Sequence, residues 1–158
     1  MHCLTSRSLL CLTAAAVAGC AQNGDRTAEA AAAEPTPVAK NPVTLADVAG
    51  RWRMKATNAR GDSLTVYELN ATRDTSGWTI TFPNRPPLPL QIVAVGGDSI
   101  VTETGPYPSV LRSTVAVRSL RSVNRLEGNR LVGAFVARYE TTRPDSVLHG
   151  VHSGTRVQ

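Results

Sequence analysis

Two histidines near the C-terminus, His149 and His152, are the residues best placed to do chemistry in the second half of this chain. With Asp145 and Ser146 nearby, they suggest a metal site or a Ser-His-Asp hydrolase. The segment has the composition of a β-strand, however, and a spacing of three puts the two histidines on opposite faces of a strand. The sequence also contains no Gly-x-Ser-x-Gly elbow. We therefore expect no enzyme, metal or cofactor, with a hydrolase as the remaining alternative.

A different chemistry belongs to Cys20, which ends the run Val17-Ala18-Gly19-Cys20. Arg7 and an apolar stretch of about 11 residues precede that run, in the order of a signal peptide. The stretch is shorter than the roughly 20 residues that span a bilayer. Val17 to Cys20 resembles the lipobox of bacterial lipoprotein precursors. An ordinary secreted protein is the alternative.

The lipobox resemblance implies removal of residues 1–19, thioether lipidation of Cys20 and acylation of its new amine. By the same resemblance, Ala21 in place of Asp lacks the usual signal for retention at the inner membrane. We expect the exported protein to be held by its lipid in the cell envelope, at the periplasmic face of the outer membrane. Because Cys3 and Cys11 are removed and Cys20 is blocked, the mature chain has no disulfide or free thiol.

The formal charge of +5 comes almost entirely from arginine. The basic residues are scattered, apart from Arg118, Arg121 and Arg125, and aromatic residues are few. Nucleic-acid binding would need a basic patch with aromatics interleaved. We expect the membrane, through the lipid, to be the partner of this chain, together with a small hydrophobic ligand, and not nucleic acid.

Residues 20–43 carry the lipidated Cys20 and a linker of Ala, Pro and Glu, which cannot repay the entropy of ordering. Residues 44–158 change to short β-rich runs separated by turns, which predicts one all-β domain. Eight strands are predicted, at residues 50–57, 63–72, 77–82, 88–95, 98–104, 113–127, 130–140 and 146–157. Short turns between successive strands favour an antiparallel meander that closes as an up-and-down barrel. A two-sheet β-sandwich is the alternative.

The first strand alternates apolar and basic residues, so Trp52 must face the core. Gly50, Arg51 and Trp52 at the start of this strand resemble the Gly-x-Trp of lipocalins and other calycins. The resemblance implies a lipocalin-like barrel in which an Arg from the last strand, Arg156, packs across Trp52. We expect Gly50, Trp52 and Arg156 to close one end of the barrel.

The turn at Gly128-Asn129 predicts which residues line the barrel. A two-residue turn pairs Glu127 with Arg130 on the solvent face, and the next pair then faces inward. This register places a mixed polar and aromatic set on the inner wall: Arg118, Ser122, Asn124, Phe135 and Tyr139.

Two further residues join this candidate ligand-binding set. Treating Gly96-Gly97 as a similar turn puts Glu103 on the inner face, as a counter-charge for Arg118. Trp78 is expected to line the same cavity. The competing interpretation is that these groups lie near the barrel mouth, satisfy one another, or are redirected by a β-bulge that sends Arg118 outward.

Two functions remain open. The chain is expected to bind a small apolar or amphipathic molecule without catalysis, as a lipid-anchored barrel of the cell envelope. The alternative is a structural or protein-interaction module with a solid core. A cavity of several hundred Å³ would favour the binder, whereas packing of the lumen by Trp52, Met54, Ile80, Phe82 and Leu131 would favour the solid module.

Overall fold

The computed structural model describes residues 42–158, so the predicted signal peptide, Cys20 and the predicted linker up to residue 41 lie outside the described residues. The described part is all-β apart from one helical turn, and its strands form a nearly closed antiparallel barrel. No helix between residues 42 and 158 is long and apolar enough to cross a bilayer. The elements are α1 (Leu45–Val48), β1 (Gly50–Asn58), β2 (Ser63–Ala71), β3 (Thr79–Thr81), β4 (Leu88–Pro89), β5 (Gln91–Gly96), β6 (Ser99–Thr104), β7 (Tyr107–Pro108), β8 (Ala116–Glu127), β9 (Arg130–Tyr139) and β10 (Val147–Arg156).

The barrel is built from one sheet with the strand order β4-β3-β2-β1-β10-β9-β8-β6-β5, in which the first strand pairs with the last and the short β7 pairs with β8. The two ends of the sheet are β4 and β5, which are consecutive in sequence and joined by Leu90. The Leu90 amide donates to the Trp78 carbonyl at 2.9 Å. The chain therefore bends at Leu90 from one edge of the sheet to the other, and it does not form the two-sheet sandwich.

Each of the eight predicted strands corresponds to β-structure, but the count differs in two places. The predicted strand 88–95 is broken at Leu90 into β4 and β5. Pro89 precedes this break and has no N–H to continue a ladder. The second difference is β7, which lies between the predicted strands 98–104 and 113–127. Its two residues pair with Val117 and Ala116 of β8.

The segment before β1 covers one end of the barrel. Thr44 caps α1, because its hydroxyl accepts from the Asp47 amide at 3.3 Å while its own amide donates to the Asp47 carboxylate at 2.8 Å. The Val43 amide donates to the Gly97 carbonyl, in the β5–β6 turn, at 2.8 Å. The segment is thus fixed at both sides, and we call this the closed end.

Arg156 and Trp52 meet at the closed end as the calycin resemblance implies. The Arg156 guanidinium lies 4.4 Å from the centre of the Trp52 ring. It donates to the carbonyls of Ala49 and of Asp47, the latter at 2.9 Å. The Trp52 indole donates to the Val48 carbonyl at 2.8 Å, and the ring is fully buried. One arginine therefore joins the last strand to the segment that precedes the first.

We expect Arg156→Met to lower the free energy of unfolding by about 2–3 kcal/mol, since it removes two charged hydrogen bonds and a cation–π contact. Urea unfolding followed by tryptophan fluorescence measures the loss. Arg51→Met is the control, because the Arg51–Glu68 pair is exposed and such pairs contribute about 0–1 kcal/mol. Equal losses in the two variants would contradict a closing role for Arg156.

Three glycines on the last two strands make the lumen of the barrel compact. A Cβ atom on Gly133 would lie 2.5 Å from His152 Nε2, one on Gly150 would lie 2.4 Å from the Phe135 ring, and one on Gly154 would lie 2.3 Å from Met54 Sδ. Each large side chain therefore occupies the space that a glycine leaves. Met54, together with the buried Trp52, Ile100 and Leu131, fills the half of the barrel near the closed end.

Candidate functional site

The opposite half of the barrel, below the turns at residues 59–62 and 140–146, encloses a cavity of about 40 Å³. Inner-face residues of the strands form its walls, and the loop after β7 forms its roof. None of the lining side chains is an acid, a lysine or an arginine, and most are apolar or aromatic. They are Ala56, Leu64, Thr65, Tyr67, Ile80, Phe82, Tyr107, Ser109, Val110, Leu111, Val117, Leu120, Ser122, Phe135, Ala137, Tyr139, Leu148 and His152.

The polar centre of the cavity wall is the pair Tyr67 and His152. The Tyr67 hydroxyl lies 3.0 Å from His152 Nδ1, and both side chains are buried. Burial lowers the pKa of His152 to about 4, so the imidazole is neutral at pH 7. If Tyr67 donates to Nδ1, the phenol is satisfied and Nε2 carries the ring proton. His152 Nε2 is the one buried side-chain nitrogen or oxygen between residues 42 and 158 without a hydrogen-bond partner.

Aromatic rings surround this pair on two sides. The His152 ring stacks on Phe135 with an interplanar angle of 18° and a centroid distance of 6.0 Å. On the other side, Tyr67 contacts Phe82 at 5.7 Å, and Phe82 stacks on Tyr107 at 5.8 Å. Burial raises the pKa of Tyr67, and the neighbouring Tyr107 raises it further. The phenols therefore stay protonated and can donate hydrogen bonds.

Two arginines hold the roof over the cavity. The Arg85 guanidinium donates to the carbonyls of Pro108 and Ser109 at 2.9 and 3.1 Å. Arg112 lies 4.2 Å from the centre of the Tyr139 ring and forms an ion pair with Asp145 at 3.0 Å. These contacts therefore hold the roof against the Pro83–Arg85 loop on one side and the loop that contains Asp145 on the other.

A side groove of about 600 Å³ opens beside the cavity. It exists because β3 pairs only with residues 68–70 of β2, so the rest of β2 and the Pro83–Arg85 loop diverge. Tyr67 and Phe82 line both the groove and the cavity. Their two side chains therefore separate the cavity from solvent on this side.

Three of the residues predicted to bind a ligand line the cavity: Ser122, Phe135 and Tyr139. Asn124 faces inward as predicted but lies nearer the closed end, where its amide donates to the Ile100 carbonyl and to the Thr102 hydroxyl. Trp78 is buried but does not line the cavity. Its indole donates to two carbonyls of the β2–β3 connection, 3.1 and 2.9 Å away.

The prediction that Arg118 lines the inner wall is wrong. The register from Glu127–Arg130 to Leu120–Ala137 is as predicted, but a bulge between Val117 and Ser119 then makes Val117 the partner of Tyr139. The extra residue turns Arg118 outward, where it is exposed. The competing interpretation of a bulge is therefore confirmed.

The prediction that Glu103 faces inward is also wrong. The turn contains Gly97 and Asp98, because Gly96 pairs with Ser99. Gly97 takes the positive φ of +55° that the turn requires. A shift of one residue exchanges the two faces of a strand, so Glu103 lies on the outer face. It pairs there with Arg121 at 3.2 Å, and not with Arg118.

Tyr67 belongs to the site but could not be assigned from the sequence, because Leu64 predicts one inner face for the second strand and the alternation of Tyr67, Leu69 and Ala71 predicts the other. The structure has the second alternation. Leu64 departs from it because it is the extra residue of a bulge in β2, opposite Ala56 and Thr57 of β1, and has no pairing partner. His152 lies on the same face of β10 as Arg156, points inward and is hydrogen-bonded. His149 is exposed on the opposite face of the strand, as the spacing of three residues predicts.

The arrangement can hold a small molecule against aromatic rings and offer it a few hydroxyl groups. It consists of an apolar cavity, a neutral Tyr67–His152 pair and a roof fixed by Arg85 and Arg112. Comparisons of this chain with protein-family models, with curated proteins and with solved structures find no match.

Proposed function

We propose that this chain is a lipid-anchored, lipocalin-like barrel of the cell envelope that binds a small apolar or amphipathic molecule without catalysis. The observation that carries the binding proposal is the cavity, whose uncharged lining surrounds the buried pair Tyr67 and His152. An apolar pocket with a few oriented polar groups is the usual form of a small-molecule site.

The cavity size restricts the ligand. One water needs roughly 10–15 Å³ of the same kind of volume, so about 40 Å³ accommodates a molecule of a few non-hydrogen atoms. A larger ligand requires Phe82 to move, which would join the cavity to the side groove. The cavity is well below the several hundred Å³ of usual pockets, and Trp52, Met54, Ile80, Phe82 and Leu131 are all buried, as expected for the solid module. The proposal of a binder is therefore restricted to a ligand much smaller than those of the usual pockets.

The anchor and the family likeness belong to the same proposal. The lipobox-like run ending at Cys20 supports lipidation, and Ala21 supports the periplasmic face of the outer membrane. A flexible chain of the length of residues 20–43 spans roughly 25–30 Å, which holds the barrel close to the bilayer. The contact between Trp52 and Arg156 supports the lipocalin-like assignment.

A second candidate function, a protein-interaction module, is favoured by an apolar row on the outer wall. Pairing aligns Ala94, Val101, Val123, Ala134 and Val151 side by side across five strands. The Val151 side chain is 52% exposed. Such a row is typical of a contact surface when it continues into a larger patch.

Native mass spectrometry of the protein extracted from its own host tests the first proposal. We expect a chain that begins at Cys20 and carries three acyl chains, with a further non-covalent component of low mass. Ala137→Leu should lose that component, because Ala137 lines the cavity and the added carbons fill it.

Ala134→Leu is the matched control for Ala137→Leu. It makes the same change on the outer face of the same strand, so the low-mass component should be retained. Retention in Ala137→Leu would contradict binding in the cavity. Loss of a co-purifying protein in Ala134→Leu, with no low-mass component in any form, would favour the interaction module.

A further inference from the structure

Tyr107 and Tyr139 supply the unengaged hydroxyl groups of the cavity. Both rings are buried and line it. They lie in one row of the inner wall, since Val117 pairs with Tyr107 on one side and with Tyr139 on the other. The Tyr67 hydroxyl is bonded to His152. In contrast, no hydrogen bond of the Tyr107 or Tyr139 hydroxyl occurs among residues 42–158, and neither oxygen is among the fully buried atoms without a partner, so both hydroxyls reach solvent-accessible space. The two donors thus flank Val117 on the inner wall.

Two cations hold the roof over these hydroxyls, and both donate to other groups. Arg112 packs on the Tyr139 ring and is paired with Asp145. The Arg85 guanidinium donates to two uncharged roof carbonyls and keeps its charge, which opposes the rise in the pKa of Tyr107 that burial and Tyr139 cause. An anionic ligand in the cavity would lose its hydration and face one cation whose hydrogen bonds are already committed, which is costly in an apolar site.

We propose that the cavity selects an uncharged molecule with a hydrogen-bond-accepting oxygen, which takes hydrogen bonds from the Tyr107 and Tyr139 hydroxyls. Its hydrocarbon part packs against Phe82, Leu120 and Phe135. This inference rests on the proposed function, because it names the class of ligand for the same cavity. A small ketone such as acetone has the required size and chemistry.

Three probes of nearly equal shape, each with four non-hydrogen atoms, test this selection on the full mature chain. Acetone carries the acceptor oxygen, isobutene replaces that oxygen with CH₂, and acetate adds a charge. Titrations followed by NMR shifts of Phe135 and Leu120 give each dissociation constant. We expect acetone to bind about three- to tenfold more tightly than isobutene, the range of about one net hydrogen bond. The carboxylate should bind more weakly than both.

Tyrosine-to-phenylalanine variants assign the preference to particular hydroxyls. In the double variant Tyr107→Phe and Tyr139→Phe, the ratio between ketone and alkene should fall to about one. Thr155→Val is the control, because it removes an exposed hydroxyl of β10 that does not line the cavity, and it should keep the ratio of the unmodified chain.

The outcomes separate this inference from the proposed function. If no probe shifts the cavity resonances, the cavity does not bind small molecules and the proposed function fails. If ketone and alkene bind equally to the unmodified chain, or if the preference survives in the double variant, binding stands and the selection by Tyr107 and Tyr139 is overturned. Tight binding of the carboxylate would overturn the preference for uncharged ligands.

Discussion

Gly133→Ala is expected to lower the free energy of unfolding by about 3 kcal/mol, at the upper end for added core volume. A Cβ atom on Gly133 would lie 2.1 Å from the Val123 carbonyl oxygen and 2.5 Å from His152 Nε2. The first contact is to the backbone of the neighbouring strand, so β8 and β9 would have to separate. Urea unfolding at pH 7 measures the loss, and the Tyr67–His152 contact should weaken in the same variant.

Gly96→Ala is the control for this change. Gly96 is also a strand glycine, but nothing lies within 4 Å of the position of an added Cβ. We expect its effect to stay below about 1 kcal/mol, as for most surface substitutions. A loss at Gly133 no greater than that at Gly96 would show that the lumen has free space there.

Acidification from pH 7 to pH 4 is expected to remove about 3 kcal/mol of unfolding free energy through His152 alone, at ~1.4 kcal/mol per pKa unit. Burial lowers the pKa of His152 from its usual 6.5 to about 4. Between these values the unfolded chain binds a proton that the folded chain does not. The stabilising contribution is therefore complete above pH 6.5 and is lost as the pH falls toward 4.

Unfolding in urea at pH 7, 6, 5 and 4 follows this loss. The difference in unfolding free energy between the unmodified chain and His152→Gln should shrink steadily as the pH falls from 7 to 4, since a glutamine at position 152 does not titrate. His149→Gln is the control, because His149 is exposed on the outer face. A pH profile unchanged by His152→Gln would contradict the neutral buried imidazole.

Much of the barrel could be predicted from residue patterns because alternation and short turns determine register locally. The Gly128-Asn129 turn predicts the pairing from Glu127–Arg130 to Leu120–Ala137, and the structure has the same pairs. The prediction fails at Arg118 and Glu103, where one residue of bulge or turn reverses the face. A single inserted residue leaves no periodic pattern in the sequence from which its position could be predicted.

The candidate site was predicted only in part for a related reason. Ser122 and Phe135 lie in the correctly registered hairpin, and Tyr139 faces inward even though its partner changes. Tyr107 lies in a Pro-rich connection and Arg112 in the loop that follows it, where no alternation exists to assign a face. Their positions depend on contacts with Arg85 and Asp145, which are distant in sequence.

The pairing of β1 with β10 affects how the chain acquires its structure. The first strand obtains its second neighbour only when the last residues, up to Arg156, are available. Contacts over so long a sequence separation make folding slow. The barrel of a growing chain therefore stays incomplete until its C-terminal strand is available. If Cys20 is lipidated as proposed, the membrane attachment signal precedes the barrel along the polypeptide, so tethering can come before folding.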